Sequence, residues 1–228
     1  MTKDNKINYY REDDMIRTGK KLNIPFSPPD ISGLEIQEVT EALRSGWITT
    51  GPRTKQLEKM ISDYIGTPRC VCLNSQTACA EMALHVLGIG PGDEVITTAY
   101  TYTASASVIC HMGAKLVIID TQKDSFEMDY DKLEEAINER TKAIIPVDIG
   151  GVPCDYDRIF KAVENKRNLF KPSSPVQEAL GRVAIMADTA HSFGANWHGR
   201  MTGNIADFSS FSLVGGMNVT DNLCRKIA

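Results

Sequence analysis

The apolar stretch VAIMAD closes on an aspartate, Asp188, and a histidine follows three residues later at His191. A carboxylate at the end of an apolar strand is costly unless something answers its charge. The position therefore calls for a cationic or N–H partner, and a protonated pyridine nitrogen is one. Taken alone, Asp-x-x-His is also what an ordinary turn cap looks like. A metal pair would need further ligands, and none converge by spacing. Cys70-Val71-Cys72 has no second Cys/His pair at zinc spacing, so no metal is expected there.

Two other stretches carry chemistry-capable residues. NSQTACA sets Asn74, Ser75, Gln76 and Thr77 between a strand-like run and a helical one. Free N–H groups and the positive end of a helix make an anion site there, or simply a capped helix. AYTYTASA sets Tyr100 and Tyr102 at the next such junction, where core packing is the plainer reading.

These residues need elements to hold them. PPDISGLEIQEVTEALRSG reads as a helix capped by Ser32, with Glu35 three residues on and Ile36, Val39 and Leu43 on one face. TKQLEKMISDYIG is a second helix. From RCVCLN onward, strands and helices alternate: QTACAEMALHVLGI, DEVITT, TASASVICHMG, AKLVIID, DYDKLEEAINER, KAIIPVD, DYDRIFKAVENKR, VAIMAD and DFSSFS. That alternation predicts an α/β fold, three-layered, around a mainly parallel sheet. NLFKPSSPVQEALGR breaks the rhythm and is read as a surface excursion. In such sheets ligands sit beyond the carboxyl ends of the strands. Those ends hold Asn74–Thr77, Ala99–Tyr102, Asp148, Asp188–His191 and Ser212.

The bulk properties narrow the partners. The 228 residues carry a net charge of -4 and a pI near 5.6, which argues against nucleic acid or an anionic membrane surface. No apolar run reaches the roughly 20 residues of a membrane span. The polar N-terminus is not a signal peptide, so a cytoplasmic protein is expected. The 6 cysteines then read as reduced thiols.

In this order, SGWITTGPRTKQLE, NSQTACAEMALHVLGIGPGDEVITTAYTYTASA, GAKLVIID, RTKAIIPVDIGGVPCDYD and ADTAHSFGANWHGRMTGNIADFSSFS resemble the DegT/DnrJ/EryC1/StrS aminotransferases. The resemblance implies the large domain of a pyridoxal-phosphate enzyme of fold type I. It implies transfer of an amino group from glutamate or glutamine to a nucleotide-linked keto-sugar, and a homodimer for the full-length protein. Residue by residue, it implies that Thr77 and Ala78 present N–H groups to the cofactor phosphate and that Ser212 adds a hydroxyl. Tyr102 would stack on the pyridine ring, Asp188 would pair with the ring nitrogen, and His191 would lie near the phenolic oxygen. Trp47, Thr49 and Thr50 would line the substrate mouth.

The same resemblance calls for a lysine five residues after Ser212, which forms the covalent link to the cofactor and moves the proton. Met217 stands there, followed by Asn218-Val219-Thr220. Methionine has no titratable group and cannot replace an amine. The expectation is an N-terminal arm over 1–23, an incomplete large domain over 24–212 and a divergent tail over 213–228. The C-terminal domain would be missing, the chain truncated and, as written, inactive. In the fold type, the strand after the lysine lies between DFSSFS and RCVCLN, so those two would lack a partner. The rival reading is a non-catalytic or regulatory homologue that binds the cofactor. A nicotinamide-binding domain is disfavoured, because GIGPGDE precedes a strand instead of following one.

Overall fold

The computed structural model describes residues 31–213. The predicted arm over 1–23, residues 24–30 of the predicted large domain, and Met217 with the rest of the tail beyond Leu213 lie outside the described residues. No helix among the described residues is long and apolar enough to cross a membrane.

Five parallel strands form the main sheet: β1 (Glu94–Thr98), β2 (Lys115–Ile119), β3 (Thr141–Ile145), β4 (Ala184–Asp188) and β7 (Phe208–Ser210). Their spatial order is β2-β1-β3-β4-β7. The chain runs outward from β1 to β2, then returns to the other side of β1 for β3 and moves outward again. β1 and β3 thus flank a switch point of the kind at which doubly wound sheets bind ligands. Strands β1, β3 and β4 are buried along their whole length, including the polar Glu94, Thr97 and Thr98 of β1 and Thr141 and Lys142 of β3.

Alternate side chains of these strands feed two separate cores. Val95, Ala143, Ile145, Ala184 and Met186 pack under helices α3 (Gln76–Leu87), α4 (Ala104–His111) and α7 (Pro175–Leu180). Ile96, Ile144, Ile185 and Ala187 face the other way, toward α5 (Tyr130–Ala136) and α6 (Tyr156–Asn165). The three-layer α/β expectation is met. A small antiparallel pair, β5 (Asn196–Trp197) and β6 (Arg200–Met201), sits between β4 and β7 and was not anticipated.

Helix α1 (Gly33–Arg44) carries the expected capping box between Ser32 and Glu35. Its predicted apolar face exists but buries no residue against the other described residues, and Ile36, Val39 and Leu43 are all exposed. Helix α2 (Pro52–Ile65) ends at Gly66 as expected and buries Ile61 and Ile65.

Two expectations need correction. RCVCLN forms no ladder among the described residues. Its text is apolar, but a strand is defined by the neighbour it bonds. β7 is one edge of the described sheet. NLFKPSSPVQEALGR is not a mere surface excursion. It contains α7, capped by Ser174, with Pro175 at the first helical position. Gln177 is fully buried and donates through Nε2 to the Leu87 carbonyl at 2.9 Å, and Ser174 Oγ donates to the same carbonyl at 2.7 Å. The segment plugs the C-terminal end of α3, where helix carbonyls lack intrahelical partners.

Candidate functional site at the carboxyl ends of the strands

Asp188 is the last residue of β4 and is 4% exposed. Its strand position turns the side chain to the face shared with Met186, toward α4. There Oδ2 accepts from Ser105 Oγ at 2.7 Å and Oδ1 from the Ala190 N–H at 3.1 Å. No lysine or arginine among the described residues pairs with it. Burial raises its pKa, against the opposing pull of the Ser105 and Ala190 hydrogen bonds and the nearby His191 imidazole. A buried carboxylate held only by neutral donors can take a cationic partner.

The N-terminus of α3 meets the end of β7 beside it. Gln76, buried, donates through Nε2 to Ser210 Oγ at 2.9 Å. Ser75 caps the helix, its Oγ accepting from the Ala78 N–H at 3.1 Å. The expectation for this turn needs amending at one atom. The Ala78 N–H is engaged by the cap, whereas Thr77 sits at the second helical position, where an N–H has no intrahelical acceptor. Ser212 is half-buried just beyond β7.

His191 is half-buried in the turn after β4, and its Nδ1 accepts from the Gly150 N–H at 3.2 Å. Tyr102 lies one turn ahead of Ser105, whose N–H reaches the Tyr102 carbonyl, and its side chain is 79% exposed. The structure therefore gathers Asp188, His191, Tyr102, Thr77, Ala78 and Ser212 onto the strand ends and their connecting turns. It does not gather Trp47, Thr49 and Thr50. They stand exposed in the α1–α2 loop, where Trp47 Nε1 donates to the Thr50 carbonyl at 3.2 Å and the ring lies against Gly51.

A second buried carboxylate lies one strand over. Asp148, 1% exposed, follows β3 and accepts from the Cys154 N–H at 2.9 Å, Tyr156 OH at 3.0 Å and Ser192 Oγ at 2.8 Å. Its pKa is raised by burial despite those donors. Sequence reasoning placed Asp148 and Gln76 at strand ends but gave neither a role of its own, and it missed Ser105. Their signal was slight. Ser105 is one of several small residues in TASASV, and nothing local marks which of them faces the sheet.

The sequence matches the DegT/DnrJ/EryC1/StrS aminotransferase family over residues 29–221. The chain is 39% identical over 208 residues to the spore coat polysaccharide biosynthesis protein SpsC of Bacillus subtilis, covering 87% of this chain and 50% of that protein. Its fold superposes with TM-score 0.85 and 58% identity on the pyridoxal-phosphate form of a putative sugar aminotransferase from Streptococcus pneumoniae, over 87% of this chain and 51% of that one. A 3-amino-5-hydroxybenzoic acid synthase is a more distant neighbour, at 27% identity and TM-score 0.72, over 86% of this chain and 48% of that one. The chain spans about half the length of the relatives it matches.

Proposed function

The chain belongs to the DegT/DnrJ/EryC1/StrS aminotransferase family, a family of pyridoxal-phosphate enzymes, and on that premise we propose that its strand ends form the cofactor-holding part of a nucleotide-sugar aminotransferase. The donor would be glutamate or glutamine and the acceptor a nucleotide-linked keto-sugar. The full-length protein would work as a homodimer in the cytoplasm. The observation that carries the reading is Asp188: a buried carboxylate, answered only by neutral donors, on the sheet edge where this fold binds ligands.

The residues present fit the cofactor. Asp188 would face the protonated ring nitrogen, and Ser105 would orient that carboxylate. The first turn of α3, chiefly Thr77, with Ala78 behind it and Ser212 opposite, would meet the phosphate. Tyr102, exposed, has a ring face available for stacking, and His191 would sit beside the phenolic oxygen. Bound in this way, the protonated pyridine ring supplies an electron sink for charge developing on the amino-bearing carbon. Trp47, Thr49 and Thr50 would reach substrate only across a wall that these residues do not themselves build.

Met217 limits what the chain does as written. It lies within the family match, at the position where the resemblance calls for lysine. A thioether neither accepts nor delivers a proton at neutral pH. We therefore read this sequence as holding pyridoxal phosphate reversibly, without covalent anchorage and without turnover, which is also how a regulatory homologue would behave. Titration with pyridoxal phosphate, followed by borohydride reduction and peptide mass mapping, tests the reading. Saturable binding with no adduct at a single buried lysine is expected. A specific adduct, or no binding, would overturn it.

A further inference from the structure

The stretch VDIGGVPCDYD is not accounted for by cofactor contacts, yet it is tied both to its own helix and to the turn after β4. Asp148 accepts two hydrogen bonds from its own loop and helix, at the Cys154 N–H and Tyr156 OH. Its other oxygen accepts from Ser192 Oγ, across the gap, in the turn that also carries His191. Backbone bonds cross the same gap: the Asp148 N–H reaches the Asp188 carbonyl at 3.0 Å, and the Asp188 N–H reaches the Pro146 carbonyl at 2.8 Å.

Between the braced ends runs the turn Ile149–Gly151. Gly150 and Gly151 both have positive φ, at 62° and 83°. A Cβ on Gly151 would lie 3.0 Å from the His191 carbonyl oxygen. Two glycines are thus required for the loop to pass this close. What the approach achieves is one contact, the Gly150 N–H donating to His191 Nδ1. An amide N–H can only donate, so Nδ1 can only accept, and the proton of the neutral ring is on Nε2.

Resting on the cofactor reading above, we propose that Asp148 is a positioning residue whose clamp on Ser192 holds the glycine turn against His191 and thereby fixes that imidazole as its Nε2–H tautomer. His191 then presents a donor, not a lone pair, to the phenolic oxygen. Asp148 touches no cofactor atom in this arrangement; it acts through the Ser192 hydroxyl and the Gly150 amide.

The test is read on the full chain labelled with 15N-histidine, by long-range proton–nitrogen correlation, with His191→Asn to identify the signal among the 4 histidines. Wild type should show a single Nε2–H tautomer for His191. Ser192→Ala, which cuts the clamp, should bring in the Nδ1–H form and weaken pyridoxal phosphate binding about threefold to tenfold, the worth of one hydrogen bond. A residue that only supports the fold would lower the melting temperature and leave the tautomer untouched. If Ser192→Ala loses its native amide spectrum, Tyr156→Phe removes a donor from the same carboxylate and should shift the same signal by less. An Nδ1–H ring in wild type, or an unchanged tautomer in a folded variant, overturns the proposal. The two readings fail separately: if the tautomer responds but pyridoxal phosphate does not bind, the brace stands and the cofactor reading falls.

Discussion

The two ends of the sheet bury carboxylates in opposite ways. At the amino ends, each is answered by a cation. Glu94, first residue of β1, accepts from Lys115 at 3.0 Å, Arg140 at 2.7 Å and Asn138 at 2.8 Å. Asp207, just before β7, takes a two-pronged Arg182 at 2.7 and 2.8 Å. At the carboxyl ends, Asp148 and Asp188 meet hydroxyls and amides only. The acidities diverge accordingly. Burial raises Glu94, but the hydrogen bonds from Asn138, Lys115 and Arg140 outweigh it and bring the carboxyl down to about 2. Burial wins at Asp188 and Asp148. One end has its charges balanced within the protein and serves stability. The other holds its carboxylates with neutral donors alone.

The sharpest way to break that contrast is to remove one carboxylate from the carboxyl ends of the strands. Asp188→Ala should lower pyridoxal phosphate affinity by about 100-fold, the loss expected when a buried charge pair cannot form. It should shift thermal unfolding little, because no cation is left stranded. A tenfold loss or less, measured by fluorescence titration, would mean that Asp188 is not the receptor.

Arg182→Ala should do the reverse. It strands Asp207 in a partly buried site and should cost about 2–3 kcal/mol of unfolding free energy by urea titration. Because the pair lies at the far end of β4, cofactor affinity in the folded fraction should be unchanged.

Acid titration separates the two ends by sign. Glu94 has a lowered folded pKa, so its contribution is full above its usual 4.5 and is lost as pH falls toward about 2. Asp188 has a raised one, so its charged form costs stability at neutral pH. That cost is relieved as pH falls through the raised value toward the usual 3.8. Melting curves from pH 7 to 3 should therefore flatten in Glu94→Gln and steepen in Asp188→Asn. Parallel shifts in both would erase the distinction.

The smallest effect concerns Tyr102. Its side chain is nearly free of the protein, so Tyr102→Ala should leave stability within about 0.5 kcal/mol. Loss of ring stacking should still weaken pyridoxal phosphate binding, by about twofold to tenfold.

Most of the scaffold was legible because its central strands are buried on both faces and several helices announce their caps. The burial of Asp188 was legible because it ends an apolar run, where a carboxylate needs a partner. Less was legible where meaning depends on neighbours remote in sequence. RCVCLN has the composition of a strand, but pairing is a property of two segments. NLFKPSSPVQEALGR looked like an excursion because its anchor, the Leu87 carbonyl, lies 90 residues from Gln177. Ser105 and Gln76 are ordinary polar residues until the fold sets one against Asp188 and the other against Ser210.

The bond between Gln76 and Ser210 spans 134 positions of chain. Every parallel crossover from β1 to β7 lies between its two ends. Closing so long a loop costs entropy that only the intervening sheet can offset. The pocket is therefore a late product of folding, absent from any nascent chain that has not yet reached β7. Synthesis from the N-terminus would release α3 and β1 early, with the helix end waiting on β7. In a stopped-flow refolding record, secondary structure should rise first, and the capacity to bind pyridoxal phosphate should follow as a distinct, slower phase.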